Sequence, residues 1–177
     1  MRVALYFGSF NPLHIGHIAI CRFLIGSGEV DQVRLVVSPQ NPLKGSYQNQ
    51  NGTTCLKHVR KVVAKMDNKI IVSDIEFSLP KPLYTIKTLR KFSELEPDNK
   101  FILIIGADNL LIIEKWNSWS EILDEYEVWV YPRTGFDGQK LCRKYNVRLI
   151  DAPSVDVSST QIREGEEAGM DLSFLKV

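Results

Sequence analysis

Short apolar runs alternate with amphipathic helical stretches along the whole of this chain, and that alternation limits the folds open to it. The runs are Val3–Phe7, Val33–Val37, Lys69–Val72, Phe101–Ile105, Glu127–Tyr131 and Val147–Ile150. Their β-branched content and length read as buried strands. Between them a helix starts near His14 and ends by Gly26-Ser27-Gly28. A second opens with Thr53 or Thr54 as cap and carries the basic face Lys57, His58, Arg60 and Lys61. A third runs over Tyr84–Glu94. Such alternation predicts an α/β fold: one doubly wound, Rossmann-like domain with a mostly parallel sheet of about six strands and helices on both faces. Phe101–Ile105, the most uniformly apolar run, belongs at the sheet centre. At 177 residues the chain suits a single domain, and no low-complexity tract or linker divides it.

The net charge of +1 argues against a nucleic-acid partner, which usually requires a strongly basic surface. A small polyanion needs only a local cationic cluster. Cys21, Cys55 and Cys142 are widely spaced and form no CxxC pair, so they read as thiols of a reducing compartment. Met1-Arg2 leads directly into the first strand with no signal-peptide pattern, and no apolar run could span a bilayer. The expectation is a cytoplasmic protein without a membrane partner.

In doubly wound sheets ligands bind beyond the carboxyl ends of the strands, where strand order reverses. The segment after the first strand is Gly8-Ser9-Phe10-Asn11-Pro12-Leu13-His14-Ile15-Gly16-His17. Gly8, Asn11 and Pro12 break the strand, and two imidazoles three residues apart then open a helix. Helix starts carry unpaired N–H groups and attract phosphate. His14 and His17 are expected on one helix face, turned toward one anion, with Gly16 clearing space for a ligand to approach the backbone. The i, i+3 spacing lacks the glutamate and i, i+4 geometry of a zinc-protease helix, and no metal site is expected.

Other unusual polar segments also follow strands. Ser38-Pro39-Gln40-Asn41-Pro42-Leu43-Lys44 stiffens a turn and offers Lys44 to a phosphate. Pro80-Lys81-Pro82 precedes Tyr84-Thr85, where Thr85 is placed to cap a helix whose free N–H groups could take an anion or amide. Gly106-Ala107-Asp108 ends the most apolar run and suits a ribose hydroxyl. Trp116 has less apolar company than Trp119 and could stack on a planar ring. Arg133-Thr134-Gly135 follows another strand as a loop able to line a base pocket. Ser158 or Ser159 caps the last helix, and with Thr160 and Arg163 makes a second phosphate cradle. Each of these segments also has a bland reading as a solvated lysine, a simple cap or a packed tryptophan. Their common position after strands favours a shared site.

The Gly8–His17 segment resembles the HxGH signature of nucleotidyltransferases. The full ordered set is similar to bacterial nicotinate-nucleotide adenylyltransferases: GSFNPLHIGH, Pro-x-Asn-Pro-x-Lys, Tyr-Thr-x-x-Thr-Leu, Gly-Ala-Asp with a downstream Trp, Arg-x-Gly and Ser-Ser-Thr-x-x-Arg. It covers Val3 to about Arg163. The resemblance implies adenylyl transfer from ATP to nicotinate mononucleotide by direct in-line attack, with pyrophosphate released and no covalent intermediate. It implies His14, His17 and Arg163 as catalytic residues. Gly8, Ser9, Phe10, Lys44, Asp108, Arg133, Ser159 and Thr160 are implied on ATP; Asn11, Tyr84, Thr85, Gly106 and Trp116 on the nicotinate nucleotide. Mg²⁺ is expected to arrive with ATP. Asn11 stands where many members carry Asp, and Asn117 where an aromatic residue often follows the tryptophan. The resemblance also implies a further helix after the last motif, so whether the domain 1–177 is truncated at its C-terminus stays open. So do a homo-oligomer, the rival acceptors (nicotinamide mononucleotide, phosphopantetheine or a cytidylyl acceptor), and a nucleotide-binding regulatory module without turnover.

Overall fold

The computed structural model describes residues 1–39 and 52–177. All six expected strands are present: β1 (Arg2–Gly8), β2 (Gln32–Val37), β3 (Ile70–Ser73), β4 (Lys100–Gly106), β5 (Glu127–Tyr131) and β6 (Arg148–Leu149). They form one sheet in the order β3-β2-β1-β4-β5-β6. Every pairing is parallel, so the expected mostly parallel sheet is wholly so among the described residues. The helices are α1 (Ile15–Gly26), α2 (Gly52–Val63), α3 (Thr85–Leu95), α4 (Ala107–Leu111), α5 (Trp119–Glu125), α6 (Gly138–Tyr145) and α7 (Ser159–Glu167). None is long and apolar enough to cross a membrane.

The central strands are apolar at every position because both faces are covered. Along β1, Ala4 and Tyr6 join a core with α1 and α2 through Cys21, Leu24, Leu56 and Val59. Val3 and Leu5 point the other way, into a second core with Ile86, Leu89, Phe92, Leu110 and Ile122. Each fully buried aliphatic side chain of this kind contributes about 1.5–3 kcal/mol.

From β1 the chain winds outward through β2 to β3, then returns to the other side of β1 and winds through β4 to β6. The reversal therefore lies between β1 and β4. Their ladder ends at Tyr6↔Ile104, although β1 continues to Gly8 and β4 to Gly106. The two strands part there, leaving a crevice at their carboxyl ends. It is the place the topology assigns to a ligand.

Two helix starts differ from the sequence expectation. Thr53 and Thr54 lie inside α2 instead of capping it. The residue capping α3 is Tyr84, whose side chain makes no capping bond, and Thr85 is the first helical residue.

Candidate active site

The crevice holds two joined compartments. The larger, about 460 Å³, is lined by His14, His17, Asp108, Arg133 and the start of α7. The smaller, about 160 Å³, is lined by Leu83, Tyr84, Thr85, Lys115, Trp116 and Glu76. Tyr6, Phe7, Gly8, Ser9, Asn109 and Tyr131 line both, so the first strand and its turn form the passage between them.

At the larger compartment the two histidines do not share a helix face. His14 is the extended N-cap of α1, and its imidazole stacks on that of His17 with centroids 3.5 Å apart and planes 20° from parallel. Capping is reciprocal. His14 Nδ1 accepts from the backbone N–H of Gly16 at 3.1 Å and of His17 at 3.4 Å. His17 Nδ1 accepts from the His14 N–H at 3.1 Å. Both Nδ1 atoms are thus acceptors, and each neutral ring carries its proton on Nε2. Burial, with the Arg133 guanidinium adding to it, pushes His14 down to about 4. His17 is lowered by burial first, then by His14 and Arg133. The pair therefore presents two neutral N–H donors at neutral pH.

Gly16 lines the larger compartment and also makes room for this arrangement. A Cβ there would meet the His14 ring at 3.0 Å and Val157 at 3.3 Å. Gly8 makes room in the same way, since its Cβ would meet the Phe10 ring at 3.1 Å. Phe10 is 2 % exposed and packs edge-on against Tyr6 and His17. Its side chain is a wall of the imidazole pocket and also lines the larger compartment. Its φ of 49° is left-handed, costly for a bulky residue and sustained by that burial.

The second phosphate cradle sits beside the first. Ser158, not Ser159, caps α7, its Oγ accepting from Gln161 N while the Gln161 side chain accepts from Ser158 N. Ser159 instead donates its hydroxyl to the Pro12 carbonyl at 2.8 Å. Arg163 donates to the Asn11 carbonyl and, at 3.2 Å, to Thr160 Oγ1. The starts of α1 and α7 are pinned together so that both face the larger compartment, and their dipoles favour an anion there. Asn11, Gly106 and Arg163 stand behind the cavity walls instead of lining them. Lys44 lies outside the described residues.

Arg133 lines the larger compartment together with Asp108. It donates to the Val157 carbonyl at 3.0 Å, and its Nε stands 3.8 Å from Asp108 Oδ1. Tyr84 and Thr85 line the smaller compartment, and in the first turn of α3 the N–H groups of Thr85 and Ile86 have no intrahelical acceptor. The buried Trp116 indole N–H likewise has no partner. Lys115 adds a cation to the same lining.

Sequence reasoning missed Tyr6, Tyr131 and Glu76. The tyrosines lie within strands and read as core; their hydroxyls meet at 3.5 Å across the passage. It also missed the C-terminal contact, where the Lys176 backbone pairs antiparallel with that of His14 and Val177 N donates to the Leu13 carbonyl at 3.3 Å. Among the described residues no group of three or more His, Cys, Asp or Glu could hold a metal ion.

Comparison with known proteins places the chain in a family. Residues 5–165 match the cytidylyltransferase-like family model. A Cytophaga hutchinsonii protein named "Probable nicotinate-nucleotide adenylyltransferase" is 43% identical over 92% of this chain and 84% of its own length. One of the same name from Flavobacterium johnsoniae is 38% identical over 99% and 91%. The chain belongs to the nicotinate-nucleotide adenylyltransferase family. A nicotinic acid mononucleotide adenylyltransferase of Plasmodium falciparum, solved with NaAD, shares the fold at a TM-score of 0.78. That match has 20% identity and covers 92% of this chain and 82% of that one.

Proposed function

We propose that this protein transfers the adenylyl group of ATP to nicotinate mononucleotide, forming nicotinate adenine dinucleotide and pyrophosphate. The observation that carries this reading is the pair of compartments meeting at Tyr6–Ser9, one lined by two imidazoles, Arg133 and the start of α7 and the other by Tyr84, Trp116 and Lys115. ATP lies in the larger compartment with its phosphates between the starts of α1 and α7, where His14 and His17 donate from Nε2. The acceptor's ring enters the smaller compartment beside Trp116, and its phosphate reaches the passage.

That phosphate is largely ionised at neutral pH and attacks the α-phosphorus directly, so no protein nucleophile or general base is required. Rate comes from aligning the two phosphates and from donors placed where equatorial and leaving-group charge grows. Mg²⁺ comes with ATP on its phosphate oxygens. The acid is favoured over the amide because the groups at the α3 start are donors: the Thr85 and Ile86 N–H groups, the Trp116 indole and Lys115. Their charge-assisted bonds to a carboxylate are worth about 1.5–3 kcal/mol each.

Pyrophosphate release with ATP and each of nicotinate mononucleotide, nicotinamide mononucleotide and phosphopantetheine tests the assignment. A kcat/KM at least roughly tenfold higher for the acid is expected from one such bond. Equal use of the amide would remove the α3 start as the carboxylate site. Turnover with phosphopantetheine alone would replace the reading.

A further inference from the structure

One titratable group in the smaller compartment has no part in the chemistry above. Glu76 sits in the single 3-10 turn Ile75–Phe77 after β3 and is 3 % exposed, yet it lines the cavity. Its Oε1 accepts from the fully buried Thr88 hydroxyl at 2.8 Å, and the Ser38 side chain also hydrogen-bonds its carboxylate. No cation of the described residues forms an ion pair with it. Burial raises its pKa, and both hydroxyl donors oppose the rise by stabilising the anion. A buried carboxylate without a cationic partner is costly unless a ligand completes it.

The rest of the lining says which ligand. Tyr6, Phe7, Tyr84, Trp116 and Tyr131 surround the same space with aromatic surface. Aromatic walls with one carboxylate suit a cation whose charge is spread over a flat or quaternary group. A pyridine ring N-linked to ribose has that charge permanently, and a neutral ring of equal shape does not.

We propose that Glu76 is a specificity-determining residue whose carboxylate is the countercharge to the pyridinium ring of the acceptor nucleotide, with the aromatic walls completing the cage. The inference rests on the acceptor being a pyridine mononucleotide, as argued above. It separates two tasks in one small cavity. The α3 start reads the substituent on the ring, and Glu76 reads the charge of the ring itself.

The test compares nicotinate mononucleotide with its neutral carbon isostere, the 5′-phosphate of 3-carboxyphenyl C-riboside, as acceptors with ATP. The wild-type protein should prefer the pyridinium compound. Glu76→Gln, which keeps an acceptor for Thr88, should narrow that preference about tenfold and leave the KM for ATP unchanged. Glu76→Asp should retain most of it. An equal loss on both acceptors would show a structural role and overturn the proposal, as would an unchanged ratio. A loss confined to nicotinamide mononucleotide would place Glu76 at the ring substituent and also overturn it. Should the glutamine variant not fold, the wild-type ratio decides, because no preference for the charged ring refutes the countercharge. Failure of the wild-type protein to release pyrophosphate with any pyridine mononucleotide would instead refute the functional reading on which this rests.

Discussion

The imidazoles of His14 and His17 stack 3.5 Å apart, and each accepts a hydrogen bond from the backbone of the other. One interaction thus caps α1, fixes both tautomers and aims two Nε2–H donors at the larger compartment. His17→Ala should lower kcat by roughly 10²–10³-fold, the loss typical of one preorganised donor, with a smaller change in ATP affinity. Steady-state kinetics with isothermal titration of ATP measures both. Turnover close to wild type would show that the pair only caps the helix.

The same burial makes the fold sensitive to acid. His14 is held at about 4, below its ordinary value near 6.5. Between those values the unfolded chain binds a proton that the folded one does not. The His14 contribution is therefore present in full above about pH 6.5 and is lost as pH falls toward 4, by at most about 1.4 kcal/mol per pH unit. His14→Asn keeps an N-cap acceptor but does not titrate. Thermal melts from pH 7.5 to 4.5 should fall less steeply for that variant than for wild type, and parallel curves would refute the assignment.

Arg163 joins α7 to the Asn11 carbonyl and to Thr160. Arg163→Ala should cost about 1.5–3 kcal/mol of stability, as for hydrogen bonds from a charged donor, and raise the KM for ATP because the two helix starts lose their alignment. Arg163→Lys restores the charge without the fork and should recover only part of either. Denaturant unfolding read beside the kinetics separates the effects, and an unchanged KM with lowered stability would confine Arg163 to the fold.

Phe10→Ala removes the wall between Tyr6 and His17 at a buried position. The expected destabilisation is about 3–5 kcal/mol, the range for deleting a buried aromatic ring. Since the His17 ring loses its edge-on neighbour, kcat should fall as well, even at temperatures where the variant is folded. Chemical denaturation gives the first quantity and pyrophosphate release the second.

Ser158→Ala removes one half of the α7 capping box, a change worth about 1 kcal/mol. The KM for ATP should rise modestly and kcat should hold, because the histidines are untouched. A drop in kcat with KM unchanged would contradict the placement of polyphosphate at this helix start.

The strand runs, the parallel sheet and the place of Gly8–His17 at the crevice were legible in the residues, because strand burial and turn chemistry are local patterns of side-chain type. The same local reasoning marked Ser158–Arg163, Tyr84-Thr85 and Trp116 as parts of one site. It did not show that His14 is a cap stacked on His17, because the spacing of two histidines on an ideal helix says nothing about a residue half outside it. Nor could it bring Arg133 to the Val157 carbonyl or set Glu76 against Thr88 of α3. Glu76 lies among unremarkable neighbours, and only the packing of the β3 exit against Ser38 and Thr88 turns it into a buried carboxyl group facing a cavity. The sequence determined the elements and the turn that reaches the crevice. Which polar groups face each other across it was decided by tertiary packing, since desolvation and pairing are properties of neighbours distant in the chain.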